Sequence, residues 1–374
     1  MLRRIWSLVA KEFIHLRNDW WLPAFMLFGG ASELLLVGWA TSRPITNLPF
    51  MVLDYNQSAY SRKFVTALEN TGTFQTEQPV DDMRTIEAAL VRGKINAALV
   101  IPPDFSEQMI SPYGKPTLLV ILNGAESTPA MAAQRAIEGV GREVNERLVI
   151  QRLGLNPNQL ATFEPSLRVW FNEALSEALY TTPAELGLML EFTVLLFAAL
   201  AFSRERELGT LEQLLVMPFS AMEIIIGKSI PVIMVGFVDF LLMLGMVHFA
   251  FGVPVRGSLA LLLLLAFGYL LVELGKGLVI SVVSRSQHQA FLLVLLVGMA
   301  DFMFTGYAAP VEGMPKALQL FANLVPAHHW LSILRGILLK GAGLDVLWPH
   351  LVALAALGLV IGTFSLRFVR RALD

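Results

Sequence analysis

Ionisable side chains sit inside stretches of this sequence that are otherwise apolar, among them Glu33, Glu191, Asp239, Glu273, Lys276 and Asp301. A charge in such a place costs a few kcal/mol on insertion scales and normally faces protein or water, so it marks a pathway, a proton relay or an internal ion pair. Glu273 and Lys276 are three apart on one helix and can neutralise each other, which reads as structural. Glu33, Glu191, Asp239 and Asp301 have no such neighbour in the chain. They are expected to line or brace an interface between two subunits and to contact a cationic or amphipathic substrate.

Other chemistry is harder to place. Gly227-Lys228-Ser229 has the ending of a Walker A phosphate loop, but the first glycine of that motif falls on Met222 and the residues between are apolar. The chain is therefore not expected to hydrolyse ATP, and no catalytic residue is assigned to it. His15, His248, His288, His328, His329 and His350 show no metal-ligand spacing such as H-E-x-x-H, so neither a metal site nor an intramembrane hydrolase is expected. There is no cysteine, which removes thiolate catalysis, disulfides and cysteine-ligated zinc. A net charge of −2 leaves no basic field for a nucleic-acid partner.

The elements that must carry these residues are membrane helices. Apolar residues make up 55% of the chain and charged ones 16%, well below the quarter usual in soluble domains. Six stretches approach or exceed the roughly 20 residues that cross a bilayer, at 20–40, 183–203, 229–252, 258–284, 289–308 and 346–368. Trp20, Trp21, Trp39 and Trp348 sit at span ends, as aromatic anchors do. Arg3, Arg4, Lys11, Arg17, Arg204, Arg206, Lys228, Arg285, Arg367, Arg370 and Arg371 crowd one side, against Arg256, Lys316, Arg335 and Lys340 in the short connections of the other. The positive-inside rule then puts both termini in the cytoplasm, with 1–19 as a cytoplasmic amphipathic helix. The first span is expected to stay uncleaved, because its apolar stretch is long for a signal peptide and Arg43-Pro44 suits cleavage poorly.

The segment 41–182 reads instead as a soluble domain, outside the membrane on this topology. A buried strand at 50–53, helices at 58–69 and 81–92, strands at 96–101 and 117–122 and a long helix at 129–153 alternate as in a small α/β domain. Neither a phosphate loop nor paired catalytic carboxylates can be placed in it. A docking or structural role is expected.

Two segments between spans carry the functional signal. After the second span, Leu211, Leu214 and Leu215 form the apolar stripe of a short amphipathic helix near 204–217, with Thr210 near its start and Pro218 at its end. Such a helix can seat in a groove on a soluble partner or lie among lipid headgroups, and periodicity alone leaves both open. Between the fifth and sixth spans, at 309–341, apolar pieces too short for a bilayer are broken by Pro315 and Pro326, which suits partial insertion.

The run Arg206-Glu207-x-Gly209-Thr210-Leu211-Glu212-Gln213-Leu214, followed by Pro218 and Gly227-Lys228, resembles the signature of ABC-2-type transporter permeases. Pro310-x-Glu312-x-Met314-Pro315, then Pro326 and Leu334-Arg335-Gly336, resembles the outer-leaflet re-entrant region of the same family. Val52-Leu53-Asp54 and Ala98 to Ser106 resemble stretches in bacterial members with a large insert after the first span. The resemblance implies a membrane all-α bundle of six transmembrane helices, with an inserted α/β extracytoplasmic domain and a re-entrant helical segment between spans five and six. It implies that Arg206, Glu207, Gly209, Thr210, Leu211, Glu212 and Leu214 couple the chain to an ATPase, and that Pro310, Met314, Pro315, Pro326, Arg335 and Gly336 shape the re-entrant region.

On that resemblance the chain is the permease of an exporter of small hydrophobic or amphipathic compounds in a bacterial inner membrane. Its implied partners are cytoplasmic ATPase subunits holding ATP and magnesium, a second permease copy or a paralogue, membrane lipids and a periplasmic adaptor. Two other classes compete. A proton-coupled secondary transporter would use the intramembrane acids, but no inverted repeat pairs the spans. A membrane sensor would need a cytoplasmic signalling domain, and the loops there are too short to hold one.

Overall fold

The computed structural model describes residues 2–41, 45–111, 113–153, 170–172 and 176–373. In chain order its helices are α1 (Leu2–Asn18), α2 (Trp21–Thr41), α3 (Ala59–Glu69), α4 (Met83–Val91), α5 (Phe105–Ile110), α6 (Ser127–Leu153) and α7 (Glu177–Glu207). They continue as α8 (Leu211–Val216), α9 (Ala221–Phe251), α10 (Leu259–Val283), α11 (Gln287–Phe304), α12 (Lys316–Ala322), α13 (Pro326–Arg335) and α14 (Leu344–Leu373). The strands are β1 (Leu48–Asp54), β2 (Phe74–Thr76), β3 (Ala97–Ile101) and β4 (Leu119–Leu122). Two compact units result, Pro44–Leu167 and the remainder, Met1–Arg43 with Arg168–Asp374.

Among the described residues of the larger unit, six helices are long and apolar enough to cross a membrane: α2, α7, α9, α10, α11 and α14. α7 is the central one and packs against α2, α9, α10, α11 and α13. It is accordingly buried along most of its length, whereas α2, α11 and α14 leave most of their surface uncovered. Those bare faces are apolar, with Phe28, Leu36, Leu296, Leu359 and Val360 exposed. Lipid or another membrane helix satisfies such a surface, and water would not. Inside, the Tyr269 and Trp330 rings stack with centroids 4.9 Å apart and tie α10 to α13.

Three spans extend beyond the boundaries that hydropathy suggests. α7 begins at Glu177, so Pro183 lies inside the helix rather than at its start. Pro183 removes the N–H that would reach the Leu179 carbonyl, and the Thr182 and Thr181 hydroxyls donate to the adjoining Ala178 and Glu177 carbonyls at 2.7 and 3.0 Å. α9 begins at Ala221 instead of 229 because Ser220 and Glu223 form a reciprocal capping box. α14 runs to Leu373, its polar last turn carrying Arg370 and Arg371. Between α11 and α14 the chain makes a 3-10 turn at Val311–Gly313, α12, α13 and a π turn at Gly336–Lys340. Pro315 immediately precedes α12, and Pro326 is the first residue of α13, where a missing N–H costs nothing.

The smaller unit holds a four-stranded sheet in the order β2-β1-β3-β4. β1 pairs in parallel with β2 and β3, and β3 pairs antiparallel with β4. Alternate residues face opposite sides, as the two-residue period demands. Phe50, Val52, Leu99 and Ile101 pack with Phe64 and Leu68 of α3 and with Ala133 and Val140 of α6. Leu53 and Ala98 pack on the other side with Ile86 and Ala89 of α4. β2 and α5 do not appear in the sequence expectation, and residues 154–169, assigned there to the end of the insert, lie outside the described residues.

Candidate functional site

The segment around α8 is built from the end of α7 downward. Glu205 is 6% exposed and acts as a hub. Its carboxylate takes Lys11 Nζ at 2.5 Å and Lys228 Nζ at 3.0 Å, and accepts the Thr210 hydroxyl. Lys228, itself 2% exposed, reaches Glu12 Oε1 at 2.7 Å. One buried cluster thus joins α1, the end of α7, the turn before α8 and the start of α9. The Gly-Lys-Ser triplet that mimicked a phosphate loop has its explanation here. A Cβ on Gly227 would lie 2.7 Å from Leu8 Cβ, so glycine lets α1 and α9 close, and Lys228 supplies the ion pairs.

Helix α7 ends at Glu207 with Leu208 as its C-cap, and Gly209 turns the chain with φ +69°, a conformation that costs any residue with a Cβ about 1–2 kcal/mol. Thr210 stands at the N-cap of α8 without a capping bond to it, because its hydroxyl and N–H both bond to Glu205. Leu214 is buried and Leu211 half-buried against the body of the unit, while Glu212 and Gln213 are exposed; the Leu215 side chain lies outside the described residues. Val216 and Met217 are exposed just after them, and Arg4 donates to the Pro218 carbonyl at 2.8 Å. α8 therefore presents a short polar and apolar face on a base pinned by Glu205.

Arg206 and Glu207 fold back onto the α10–α11 connection. Arg206 Nη1 donates to the Val282 and Ser284 carbonyls at 2.9 and 2.5 Å, capping the C-terminus of α10. Glu207 accepts the Gln287 N–H at 2.7 Å and caps the N-terminus of α11. Each charge meets the helix end whose dipole it complements. Together they hold the α10–α11 connection beside α8.

The intramembrane charges divide into three groups. Lys276 lies 3.0 Å from Glu191, 2.7 Å from Glu273 and 2.6 Å from Asp301, so Glu191 and Asp301 are not lone acids. α7, α10 and α11 meet at this ammonium. Asp239 is fully buried on α9, with the Thr193 side chain as its polar neighbour. Glu33 is exposed on α2 and lines a lateral groove of about 920 Å³ between α2, α7 and α11. Phe25, Phe192, Phe291 and Phe302 give that groove an aromatic wall. Glu185, absent from the residues singled out in the sequence, also lines it and accepts the Tyr307 hydroxyl at 2.6 Å. Its signal was there to find, an acid in the first turns of an apolar helix.

In the 309–341 region Arg335 is the main polar anchor. It donates to the Tyr180 and Gly306 carbonyls at 3.2 and 3.4 Å and lies 3.9 Å over the Tyr180 ring. Gln319 donates to the Glu312 and Met314 carbonyls and closes the turn that Pro310 and Pro315 delimit. Gly336 packs where a Cβ would lie 2.8 Å from Leu347, which brings the π turn against α14.

Comparison with known proteins gives matches over nearly the whole chain. The family model described as ABC-2 family transporter protein matches residues 20–367. A protein of Escherichia coli K12 named "Probable multidrug ABC transporter permease YbhR" is 28% identical over 99% of both chains. "Inner membrane transport permease YhhJ" of the same organism is 28% identical over 100% of this chain and 98% of its own. "ABC transporter G family member 20" of Dictyostelium discoideum is 24% identical over 89% of this chain, but that match spans 46% of the longer protein.

Proposed function

Because the chain belongs to the ABC-2 family of transporter proteins, we propose that it is the membrane-spanning permease of an ABC exporter, powered by a separate cytoplasmic ATPase. Two permease subunits and two ATPase subunits form the complex, and the ATPase holds ATP and magnesium. The observation that carries this reading is α8, a short helix with an exposed face on a base fixed by Glu205, Thr210 and Gly209. Closure of an ATPase seated on Glu212, Gln213 and Val216 would push that base. Glu205 and Lys228 then transmit the push to α7, α9 and α1, and Arg206 and Glu207 transmit it to α10 and α11. Arg206 and Glu207 are thus positioning residues, and Glu212 is the contact.

The groove between α2, α7 and α11 is the proposed path for small hydrophobic or amphipathic compounds. Its aromatic wall suits apolar bodies, and Glu33 with Glu185 suits a cationic end. One E. coli relative carries "multidrug" in its name and another "inner membrane", which supports the substrate class and a multi-pass place in a bacterial inner membrane. Both termini are placed in the cytoplasm by loop charge, and the Pro44–Leu167 unit outside, where it would dock an adaptor or shape the exit. The 309–341 segment is proposed to dip into the outer leaflet, since α12 and α13 are far shorter than a bilayer is thick.

Proton-coupled secondary transport is the competing reading, favoured by the intramembrane carboxylates. Three of them, however, surround Lys276 and hold three helices together. Transport assays in vesicles separate the two. ATP with the partner ATPase should drive export after the proton gradient is collapsed; export that follows the gradient and ignores ATP would establish the competitor.

A further inference from the structure

The adjacent His328 and His329 meet His350, remote from them in the sequence, where α13 begins against α14. Ring centroids lie 5.3 Å apart for His328 and His329, 5.4 Å for His329 and His350, and 6.2 Å for His328 and His350. His329 is 4% exposed. Its Nδ1 faces His350 Nδ1 at 3.1 Å, and its Nε2 lies 2.9 Å from the Asn323 carbonyl at the end of α12. His328 Nδ1 lies 3.3 Å from the Thr305 carbonyl at the end of α11. Among the described residues no group of three such side chains could hold a metal ion, so the cluster asks for another ligand.

Its hydrogen bonds fix how many protons it can accept. A carbonyl only accepts, so His329 carries its proton on Nε2 and, when neutral, presents a lone pair at Nδ1. His350 must then donate from Nδ1. One further proton is accommodated on His329 Nδ1 if His350 moves its own to Nε2, and the contact survives. A second cannot be: both facing nitrogens become donors, and two imidazolium rings stand within one contact distance. The charged neighbour of the triad is Glu312, which faces His328; α7 and α10 meet α13 through Gly187 and Tyr269 against Trp330.

We propose that His328, His329 and His350 form a proton-binding latch that holds the start of α13 to α14 and releases it when the His329–His350 pair becomes doubly protonated. Arg335 anchors the other end of α13 to Tyr180 and Gly306, so release turns α12 and the first turn of α13 about that anchor. Histidine is the side chain that gains a proton in mild acid, and burial together with the adjoining ring holds His328 below the ordinary range, so release falls on the acid side of that range. The device does not depend on which membrane face carries it.

The test uses the full chain in lipid nanodiscs, where both faces meet the buffer. The absence of cysteine allows Leu324→Cys and Val346→Cys, at exposed positions on the moving and fixed sides, to carry spin labels. The expected result is a shift of the interspin distance to longer values between about pH 8 and about pH 5, lost in both His329→Asn and His350→Asn. A distance that does not move in the otherwise native chain would overturn the latch. So would a shift of the same size in both variants.

Discussion

Lys276 is the residue on which most of the intramembrane charge depends. Glu191, Glu273 and Asp301 reach it from three helices, and Lys276 is 14% exposed while Glu191 and Glu273 are fully buried. Removing one partner of a buried pair leaves the other charge uncompensated, at a cost of about 3–5 kcal/mol. Lys276→Met is therefore expected to lower the thermal stability of the purified protein sharply. Asp301→Asn, which removes one of the surplus negative charges, should be mild. Thermal denaturation in detergent or nanodiscs checks both, and equal losses would mean that the ammonium does not organise the cluster. Of this arrangement the sequence revealed the Glu273–Lys276 pair, because an i,i+3 spacing shows on one helix. Glu191 and Asp301 lie 85 and 25 residues from Lys276, so nothing local could connect them to it. The place of His350 beside His328 and His329 was hidden for the same reason, since it lies 21 residues from His329 on the next long helix.

At the scale of elements, the account rests on how α8 is mounted. Gly209→Val forces a β-branched residue into positive φ, with a local cost of at least about 1–2 kcal/mol. Export should be lost while the protein remains in the membrane and the partner's ATP hydrolysis continues, as paired transport and hydrolysis assays would report. The clasp on α1 gives a second test. Val9, 1% exposed, should react slowly as Val9→Cys, and much faster once Glu205→Gln removes the negative charge that pairs with Lys11 and Lys228. Unchanged labelling would show that apolar packing alone holds α1. The amphipathic stripe of α8 was legible, since Leu211 and Leu214 face inward as a helical period requires. The directions of Arg206 and Glu207 were not legible. A linear motif names the charges but says nothing about which loop folds back beneath them, and here it is the α10–α11 connection.

For the whole molecule, six apolar helices could be read from composition and length, because a bilayer demands long uninterrupted apolar runs. Their ends could not. Hydropathy fades where α7 and α9 continue as polar turns, and the capping box at Ser220 marks the start of α9 more truly than apolarity does. In the smaller unit the missed pieces were β2, with three residues, and α5, with six, both too short for a period to register. The central claim is that this chain supplies the path and a separate ATPase supplies the power through α8. The most direct test is photo-crosslinking from position 212, with a photoreactive residue replacing Glu212 in cells of the native host. The expected result is one dominant adduct to an ATP-hydrolysing protein that copurifies with the permease in equal amount, and loss of that adduct with Gly209→Val. Crosslinks to lipid alone, together with a permease that purifies without any ATPase and still exports, would contradict it.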